Sequence, residues 1–366
     1  MRVPQKKERY KVVYIPGDDS GNDVMEACMI VMEKLNPPID WIRADAGWCM
    51  WEKYGDTVPP ETWEALEESD AALFGAITSR PGVKGFRSAI IQIRQRFDLY
   101  INLRPFKSLP GVPSHKPDID IVLFRENTED LYAGVEWRPL PQELYSLHPN
   151  LERFKGRRDV AGSLRVFSWE GCERIIRAAF SFAREKGRKR VTVVEKANVI
   201  RATGGLFLEV AETVAKEYPE IEWNVENIDA TAMWLIKNPS AYDVIVTTNM
   251  FGDIISDECA QLVGGMGVVA SGNIGDNYAL FEPAHGSAPK YAGQYKVNPT
   301  AMIMAAKMLL DYLGLDDYSA RLEKAVISVL EEGKYVTYDI LRDKGEDESK
   351  AVSTLRMAEE IASRIC

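Results

Sequence analysis

The run Asn249-Met-Phe-Gly-Asp253-Ile-Ile-Ser-Asp257 follows a β-like segment and sets two carboxylates four residues apart. On a helix that spacing puts both on one face. Two hard anionic oxygens at the mouth of a sheet can hold a divalent cation such as Mg²⁺, which accepts one or two protein carboxylates and completes its shell with substrate and water. The run also reads as a helix start, with Asp253 as N-cap and Asp257 favoured by the dipole.

Three arginines could supply the complementary charge. Arg94 falls on a helical pattern, Arg104 at a strand-like end (Tyr100 to Pro105), and Arg125 directly after the strand ending at Phe124. A planar guanidinium binds carboxylates bidentately, so converging arginines would suit a small polycarboxylate. Unconverged, they would be surface ion pairs, although the apolar flanks of Arg125 argue against simple exposure. The segment Arg125-Glu-Asn-Thr-Glu-Asp-Leu-Tyr132 is dense in polar groups just after a strand, where α/β enzymes place ligand contacts. Lys196, in Val193-Val-Glu-Lys-Ala-Asn198, occupies the same kind of strand end. A lysine among apolar residues can have its charged form disfavoured and act as a base; more commonly it snorkels.

Short β-branched runs at Lys11 to Ile15, Ala71 to Phe74, Ile119 to Phe124, Arg190 to Val194 and Tyr242 to Thr247 alternate with helical patterns, which predicts an α/β protein with parallel or mixed sheets. Helices are expected over Trp169 to Lys186, Gly205 to Glu217, Asn298 to Leu313 and Ala320 to Glu332, and the final third reads as mainly helical. Gly265-Met-Gly267-Val-Val-Ala270 fits the GxGxx(G/A) dinucleotide pattern but follows a helical stretch, so it reads as a tight turn. Arg138 to Val166 has three prolines, the basic cluster Arg153-Phe-Lys-Gly-Arg-Arg158 and no clean period. It reads as an excursion from the core, packed or exposed.

Acidic side chains outnumber basic ones, 55 to 45, for a formal net charge of −10, which gives no global attraction to nucleic acid or anionic membrane. Any anionic ligand must meet local positive charge. Cys28, Cys49, Cys172, Cys259 and Cys366 have no zinc or disulfide spacing, which fits a reducing cytoplasm. Arg2, Lys6, Lys7, Arg9 and Lys11 are not followed by a signal-peptide core, and the apolar stretch from Pro299 stops at Lys307, too soon for a membrane span.

Several motifs in order resemble the β-decarboxylating dehydrogenase family, which includes isocitrate, homoisocitrate, 3-isopropylmalate and tartrate or D-malate dehydrogenases. They are Ile15-Pro-Gly-Asp18, Asp98 to Pro105, Arg125 to Tyr132, Lys196-Ala-Asn198, Asn249 to Asp257 and Glu282-Pro-Ala-His-Gly-Ser-Ala-Pro289. The resemblance implies an α/β, two-domain isocitrate/isopropylmalate dehydrogenase-like fold, distinct from a GxGxxG Rossmann fold. Residues 1–99 and 264–366 would form a large cofactor-binding domain, 100–129 and 167–263 a small dimerisation and substrate domain, and 130–166 a clasp-like arm. It implies a homodimer with shared sites, in which Lys196 and Asp229 serve the partner's cleft. Mg²⁺ or Mn²⁺ would be held by Asp229, Asp253 and Asp257. Lys196 would be the base and Tyr132 would reprotonate the enolate, while Ser88, Ile90, Arg94, Arg104, Arg125 and Asn198 would contact a 2-hydroxy polycarboxylate.

For the cofactor, the resemblance points to Thr78, His285, Gly286, Lys290, Tyr291, Val297, Asn298, Tyr338 and Arg342. Lys290, Tyr291, Tyr338 and Arg342 resemble the 2′-phosphate set of NADP-dependent isocitrate dehydrogenases, where NAD-using relatives have Asp and Ile at the first two positions. The chain departs from the family in three places. Gly17-Asp-Asp-Ser-Gly-Asn22 alters the opening turn, Glu195 stands where relatives often have His, and Ile90 replaces the asparagine of an isocitrate-type Ser-x-Asn. The NADP set and the Arg87-Ser88 pair favour isocitrate, with Arg87 a possible compensator for the lost amide. Ile90 favours homoisocitrate, with 3-isopropylmalate and malate-type substrates next. A non-catalytic regulatory subunit is the alternative outside enzymes, against which the intact Lys196, Tyr132, Asp229, Asp253 and Asp257 argue.

Overall fold

The computed structural model of the chain describes residues 5–80, 82–83 and 85–366; Arg2 of the basic N-terminus lies outside them. The described residues form twelve strands: β1 Tyr10–Ile15, β2 Ile39–Arg43, β3 Ala71–Phe74, β4 Ile101–Lys107, β5 Asp120–Glu126, β6 Glu136–Trp137, β7 Gly162–Ser163, β8 Arg190–Glu195, β9 Glu222–Asn227, β10 Val244–Thr247, β11 Ala270–Ile274 and β12 Ala279–Pro283. Ten form one sheet in the order β2-β1-β3-β12-β11-β4-β5-β10-β8-β9. Its two ends are parallel, and the middle is antiparallel where β11 meets both β12 and β4, and β4 meets β5. The hairpin β11–β12 thus inserts between β3 and β4, inside the third of the chain expected to be mainly helical.

Alternation along the strands explains the two-sided core. Val12, Ala71, Leu73 and Phe281 belong to one buried cluster, whereas Val13, Ile15, Ala72, Phe74 and Leu280 belong to another. A period of two sends successive side chains to opposite faces, so strands buried on both faces read as continuous apolar runs. Helices Ser20–Leu35 and Thr300–Tyr312 contribute to the first cluster, and Pro60–Glu67 and Ala89–Arg96 to the second.

The helix Trp169–Glu185 starts where Ser168 Oγ accepts the Gly171 N–H at 2.9 Å, and it buries Ile175, Ile176, Ala179, Phe180 and Ala183. That face matches the apolar spacing in the sequence. The expected helix over Gly205 to Glu217 is Arg201–Ala215, because its first turn continues directly from the turn after Lys196. Gly265, at φ 90°, precedes a short 3₁₀ turn at Met266–Val268, as the tight-turn expectation required.

Residues 138–166 leave the main sheet as an arm. The β6–β7 pair is antiparallel, and the arm adds short helices at Gln142–Tyr145 and Pro149–Glu152; Arg153, Lys155, Arg157 and Arg158 are exposed. No helix among the described residues is long and apolar enough to cross a membrane.

Candidate active site

The Asn249–Leu262 helix corrects one expectation. Its N-cap is Thr248, so Asp253 is the fifth helical residue and caps nothing. Both Asp253 and Asp257 lie on the face turned toward β4 and β5. Gly252 makes that approach possible: a Cβ there would stand 2.6 Å from Arg125 Cγ.

The three arginines meet at this face. Arg125 is 2% exposed; its Nε and Nη2 donate to Asn249 Oδ1 at 3.0 and 2.7 Å, and Nη1 donates to Asp253. Arg104 lies within β4 rather than at its end. Its Nε donates to Asn102 Oδ1 at 2.8 Å and its Nη1 to Ser256 Oγ at 2.7 Å, leaving it 3.9 Å from Asp253 and 3.7 Å from Asp257. Arg94 Nη2 donates to Glu282 Oε1 at 2.9 Å, and its buried Nε has no partner. An unmade bond at a buried guanidinium is expensive, which marks the spot as one awaiting an acceptor.

Sheet register ties these groups together. Asn102 stands opposite Arg125 on one side and Asn273 on the other. Asn273 Nδ2 donates to Glu282 Oε1 at 2.7 Å, and Asn102 Nδ2 donates to Asn273 Oδ1 at 2.9 Å. A buried polar relay therefore runs from Arg94 to Arg104. Neither Asn102, Asn273 nor Glu282 was singled out for this role from sequence, because neutral amides in strands carry no recognisable spacing. The one available signal was polar residues interrupting otherwise apolar runs.

Tyr132 lies in a short 3₁₀ turn after β5, and its hydroxyl donates to Asp253 Oδ2 at 2.7 Å. Burial and this bond to a carboxylate raise the phenol's pKa against the opposing charge of Arg125, so Tyr132 keeps its proton. The two carboxylates diverge. Burial pushes Asp253 up, but Arg125, Tyr132 and Arg104 outweigh it and its pKa is lowered. Asp257 is raised, first by burial and then by the neighbouring Asp253, against the pull of Arg104.

Lys196 and Asp229 form a second group. Lys196 immediately follows β8 and its ammonium donates to Asp229, whose pKa that bond lowers. Asn198 is exposed beside them. Among the described residues no group of three or more His, Cys, Asp or Glu could hold a metal, so Asp229 does not join Asp253 and Asp257 within one chain.

At the start of helix Ala89–Arg96, Ser88 makes no capping side-chain bond; Ile90 is half-buried one turn before Arg94, on the same face. Arg87 is exposed and donates to Gln95 Oε1 at 3.1 Å.

A third cluster lies beyond β12. Lys290 Nζ is 4.6 Å from the Tyr291 ring centroid, the Tyr291 and Tyr338 rings are 5.9 Å apart, and Arg342 Cζ is 5.7 Å from the Tyr338 ring. Tyr338 first and then Lys290 lower the Tyr291 pKa, while burial and Tyr291 raise that of Tyr338. His285 Nε2 is buried without a partner, and burial lowers the imidazole's pKa. Gly286, exposed beside it, has open space where a side chain would be. Val297 is half-buried, and its carbonyl accepts the Thr354 hydroxyl at 2.6 Å. Asn298 is buried, its Nδ2 donating to Asp339 Oδ2 at 3.0 Å and its Oδ1 accepting the Thr300 N–H at 3.0 Å.

The altered opening turn reaches this cluster. Gly17 is at φ 84°, and a Cβ there would stand 2.2 Å from Ala76 O, so the chain passes where only glycine fits. Asp18 accepts the Trp48, Cys49 and Thr78 N–H groups at 2.8 to 2.9 Å. Thr78 Oγ1 donates to Asp19 Oδ2 at 2.6 Å and contacts Ser287 Oγ at 2.5 Å, while the Ser20 N–H donates to Ser287 O at 3.0 Å. The residues that depart from the family's opening thus fasten the His285 loop to β3.

These features coincide with family membership. The family model described as Isocitrate/isopropylmalate dehydrogenase matches residues 11–361, and the chain belongs to that family. It is 43% identical over 353 residues to the 3-isopropylmalate dehydrogenase of Archaeoglobus fulgidus, covering 96% of this chain and 98% of that one. It is 46% identical over 327 residues to the isocitrate/homoisocitrate dehydrogenase of Thermus thermophilus, covering 88% and 92%. The crystal structure of isocitrate dehydrogenase from Methylococcus capsulatus superposes with a TM-score of 0.88 at 40% identity, covering 97% of this chain and 99% of that one. The chain is accordingly an NAD(P)- and divalent-metal-dependent dehydrogenase fold whose expected substrate is a small molecule.

Proposed function

We propose that the chain oxidises and decarboxylates a 3-substituted malate with NADP and Mg²⁺ or Mn²⁺, taking 3-isopropylmalate ahead of homoisocitrate and both ahead of isocitrate. The observation that carries the reaction is the approach of Arg104 and Arg125 to Asp253, with Arg94 joined to them through Glu282, Asn273 and Asn102 and Tyr132 hydrogen-bonded to the same carboxylate. Three arginines bind a dicarboxylate in one orientation and prevent it from turning. The 43% identity to a 3-isopropylmalate dehydrogenase supports placing that substrate first, and Ile90 supports placing isocitrate last, since the proposed compensator Arg87 is exposed and already bonded to Gln95. The isocitrate preference drawn from the NADP set and the Arg87-Ser88 pair yields to this, because an amide-free wall leaves a distal carboxylate without its hydrogen bond.

The residues fit both implied groups. Asp253 and Asp257 supply hard oxygens, with Asp229 of the partner subunit the third; the unpartnered His285 Nε2 and the Lys290, Tyr291, Tyr338 and Arg342 cluster suit an adenosine carrying a 2′-phosphate. When bound, NADP accepts the hydride and the cation polarises the oxygen on the oxidised carbon. Lys196, once its ammonium has given up a proton, takes the 2-hydroxyl proton as the neutral amine, and the carboxylate on C3 leaves as CO₂. Tyr132, protonated, then delivers a proton to C3. Placing Lys196 and Asp229 in a second copy's cleft is supported by their separation from Asp253 within one chain. Val225 on β9, Met233, Trp234 and Ile236 on the helix Ile228–Lys237 that also carries Asp229, and Ile254 beside Asp253 are exposed apolar side chains that a second copy would cover. Steady-state kcat/KM for 3-isopropylmalate, homoisocitrate, isocitrate and D-malate with each cofactor tests this. A preference for isocitrate or for NAD overturns the corresponding part.

A further inference from the structure

Arg165, at the base of the arm, has all five of its N–H donors taken. Its Nε donates to Asp130 Oδ1 at 2.7 Å. Nη1 donates to Glu195 Oε1 at 2.9 Å and Thr203 Oγ1 at 3.5 Å, and Nη2 to Glu195 Oε2 at 3.1 Å and Thr248 Oγ1 at 2.9 Å. Its guanidinium also lies 4.5 Å from the Phe167 ring and 4.8 Å from that of Phe251. Asp130 and Glu195 have fully buried side chains, and Arg165 is 10% exposed.

Each partner adjoins a site residue. Glu195 Oε1 also accepts the Lys196 N–H at 3.0 Å. Asp130, two residues before Tyr132, sits at φ 70°, a conformation a non-glycine residue adopts only when held there. It is held by its own N–H to Val166 O at 3.0 Å and by the Leu131 and Met250 N–H groups on its carboxylate. Thr248 occupies the N-cap position of the Asp253–Asp257 helix, its hydroxyl accepting from Arg165 and not from the helix, and Met250 lies in the first turn.

We propose that Arg165 is a positioning residue that sets the postures of Lys196, Tyr132 and the Asp253–Asp257 helix together; this rests on the roles assigned to those residues above. Where Lys196 serves the other subunit's cleft, the same guanidinium joins the proton acceptor of one site to the proton donor of the other. A joint needed only for stability could be apolar here, since replacing a buried ion network by well-packed hydrocarbon is often neutral or stabilising. Only a fork of fixed geometry reaches three segments at once.

The test uses Arg165→Lys and Glu195→Gln in the full-length enzyme. Arg165→Lys should lower kcat by about 10- to 100-fold, the range for residues that orient site groups, with KM for substrate and cofactor within about twofold. Two part-reactions separate the arms. The deuterium isotope effect on hydride transfer reads the Lys196 step, and solvent deuterium entering C3 of the 2-oxo product reads the Tyr132 step. Arg165→Lys should impair both, whereas Glu195→Gln should impair the first alone. Normal kcat with only a lowered Tm, or impairment of a single step in Arg165→Lys, overturns the proposal; if that variant does not fold, a normal hydride step in Glu195→Gln does so. Lys196→Met with full turnover would instead sink the assignment of the base itself.

Discussion

Gly252→Ala is the sharpest probe of how the arginine clamp is built. A Cβ at this position would lie 2.6 Å from Arg125 Cγ, 2.8 Å from its Cβ and 3.2 Å from its Cδ. Carbon atoms settle at about 3.5–4.0 Å, so relief requires a shift on the order of 1 Å. The neighbour cannot simply swing aside, because the clash falls on the stem of a buried side chain fixed in β5 and bonded at its far end to Asn249 and Asp253. Either the Asn249–Leu262 helix lifts, carrying Asp253 and Asp257, or Arg125 moves. Overpacking costs about 1–3 kcal/mol, and replacing a mid-helix glycine by alanine returns about 1, so stability should fall by roughly 0–2 kcal/mol. Catalysis should suffer more, since a displacement of about 1 Å in a positioned group costs about 100-fold. kcat and KM at saturating metal and NADP, with Tm measured alongside, check this. Because both substitutions act through one side chain, Gly252→Ala combined with Arg125→Lys should be sub-additive. A kcat/KM within about twofold of the parent, or strict additivity, would refute the reasoning.

Ile90→Asn should raise the isocitrate to 3-isopropylmalate ratio of kcat/KM by about fivefold, one hydrogen bond's worth near 1 kcal/mol, and an unchanged ratio counts against Ile90 as the discriminating contact. Lys290→Asp with Tyr291→Ile should lower the NADP to NAD ratio by about 100-fold or more, since bonds to charged groups contribute about 1.5–3 kcal/mol each. A constant ratio would remove these residues from the phosphate site. His285, kept neutral chiefly by burial against the Gly286 carbonyl and Asp339, has a folded pKa below its ordinary 6.5, so the unfolded chain takes up the proton first. Its contribution to stability is complete above that value and is lost as pH falls below it. Urea unfolding between about pH 7.5 and about pH 5 should therefore lose a component of its slope in His285→Gln, and identical slopes in both proteins would contradict this.

Sequence patterns located the elements whose neighbours are local. The strands at Tyr10–Ile15, Ala71–Phe74, Asp120–Glu126, Arg190–Glu195 and Val244–Thr247 were legible because burial on both faces gives each a core rich in apolar, mostly β-branched residues. The hairpin of β11 and β12 was not. Ala-Ser-Gly-Asn-Ile and Ala-Leu-Phe-Glu-Pro have neither alternation nor a continuous apolar run, since Asn273 and Glu282 turn into a polar network rather than into hydrocarbon. The charged members of the site were also legible, because a carboxylate, guanidinium or ammonium at a strand end has few structural uses. The amides that hold them, Asn102, Asn249 and Asn273, have many.

That division explains why the Asp253 and Asp257 pair was ambiguous from sequence and is less so in three dimensions. The helix begins four residues before Asp253, which removes the capping role, and Arg125 and Tyr132 both bond to that carboxylate. Asp257 receives no such support. The nearest guanidinium, Arg104, spends Nε and Nη1 on Asn102 and Ser256 and stays 3.7 Å away, so burial and the charge of Asp253 prevail and raise the Asp257 pKa. Two carboxylates one turn apart, one satisfied and one repelled by it, form a local charge that further arginine would not correct without crowding the clamp. A small divalent cation would correct it, by neutralising the repulsion while leaving Arg94, Arg104 and Arg125 for the substrate's carboxylates. If so, adding Mg²⁺ alone should raise the Tm of the parent, and Asp257→Asn, which relieves the repulsion directly, should raise Tm without metal and erase most of the Mg²⁺ response. An Asp257→Asn variant that is less stable than the parent in chelator would mean that its carboxylate is already paired, and the argument for a cation here would fail.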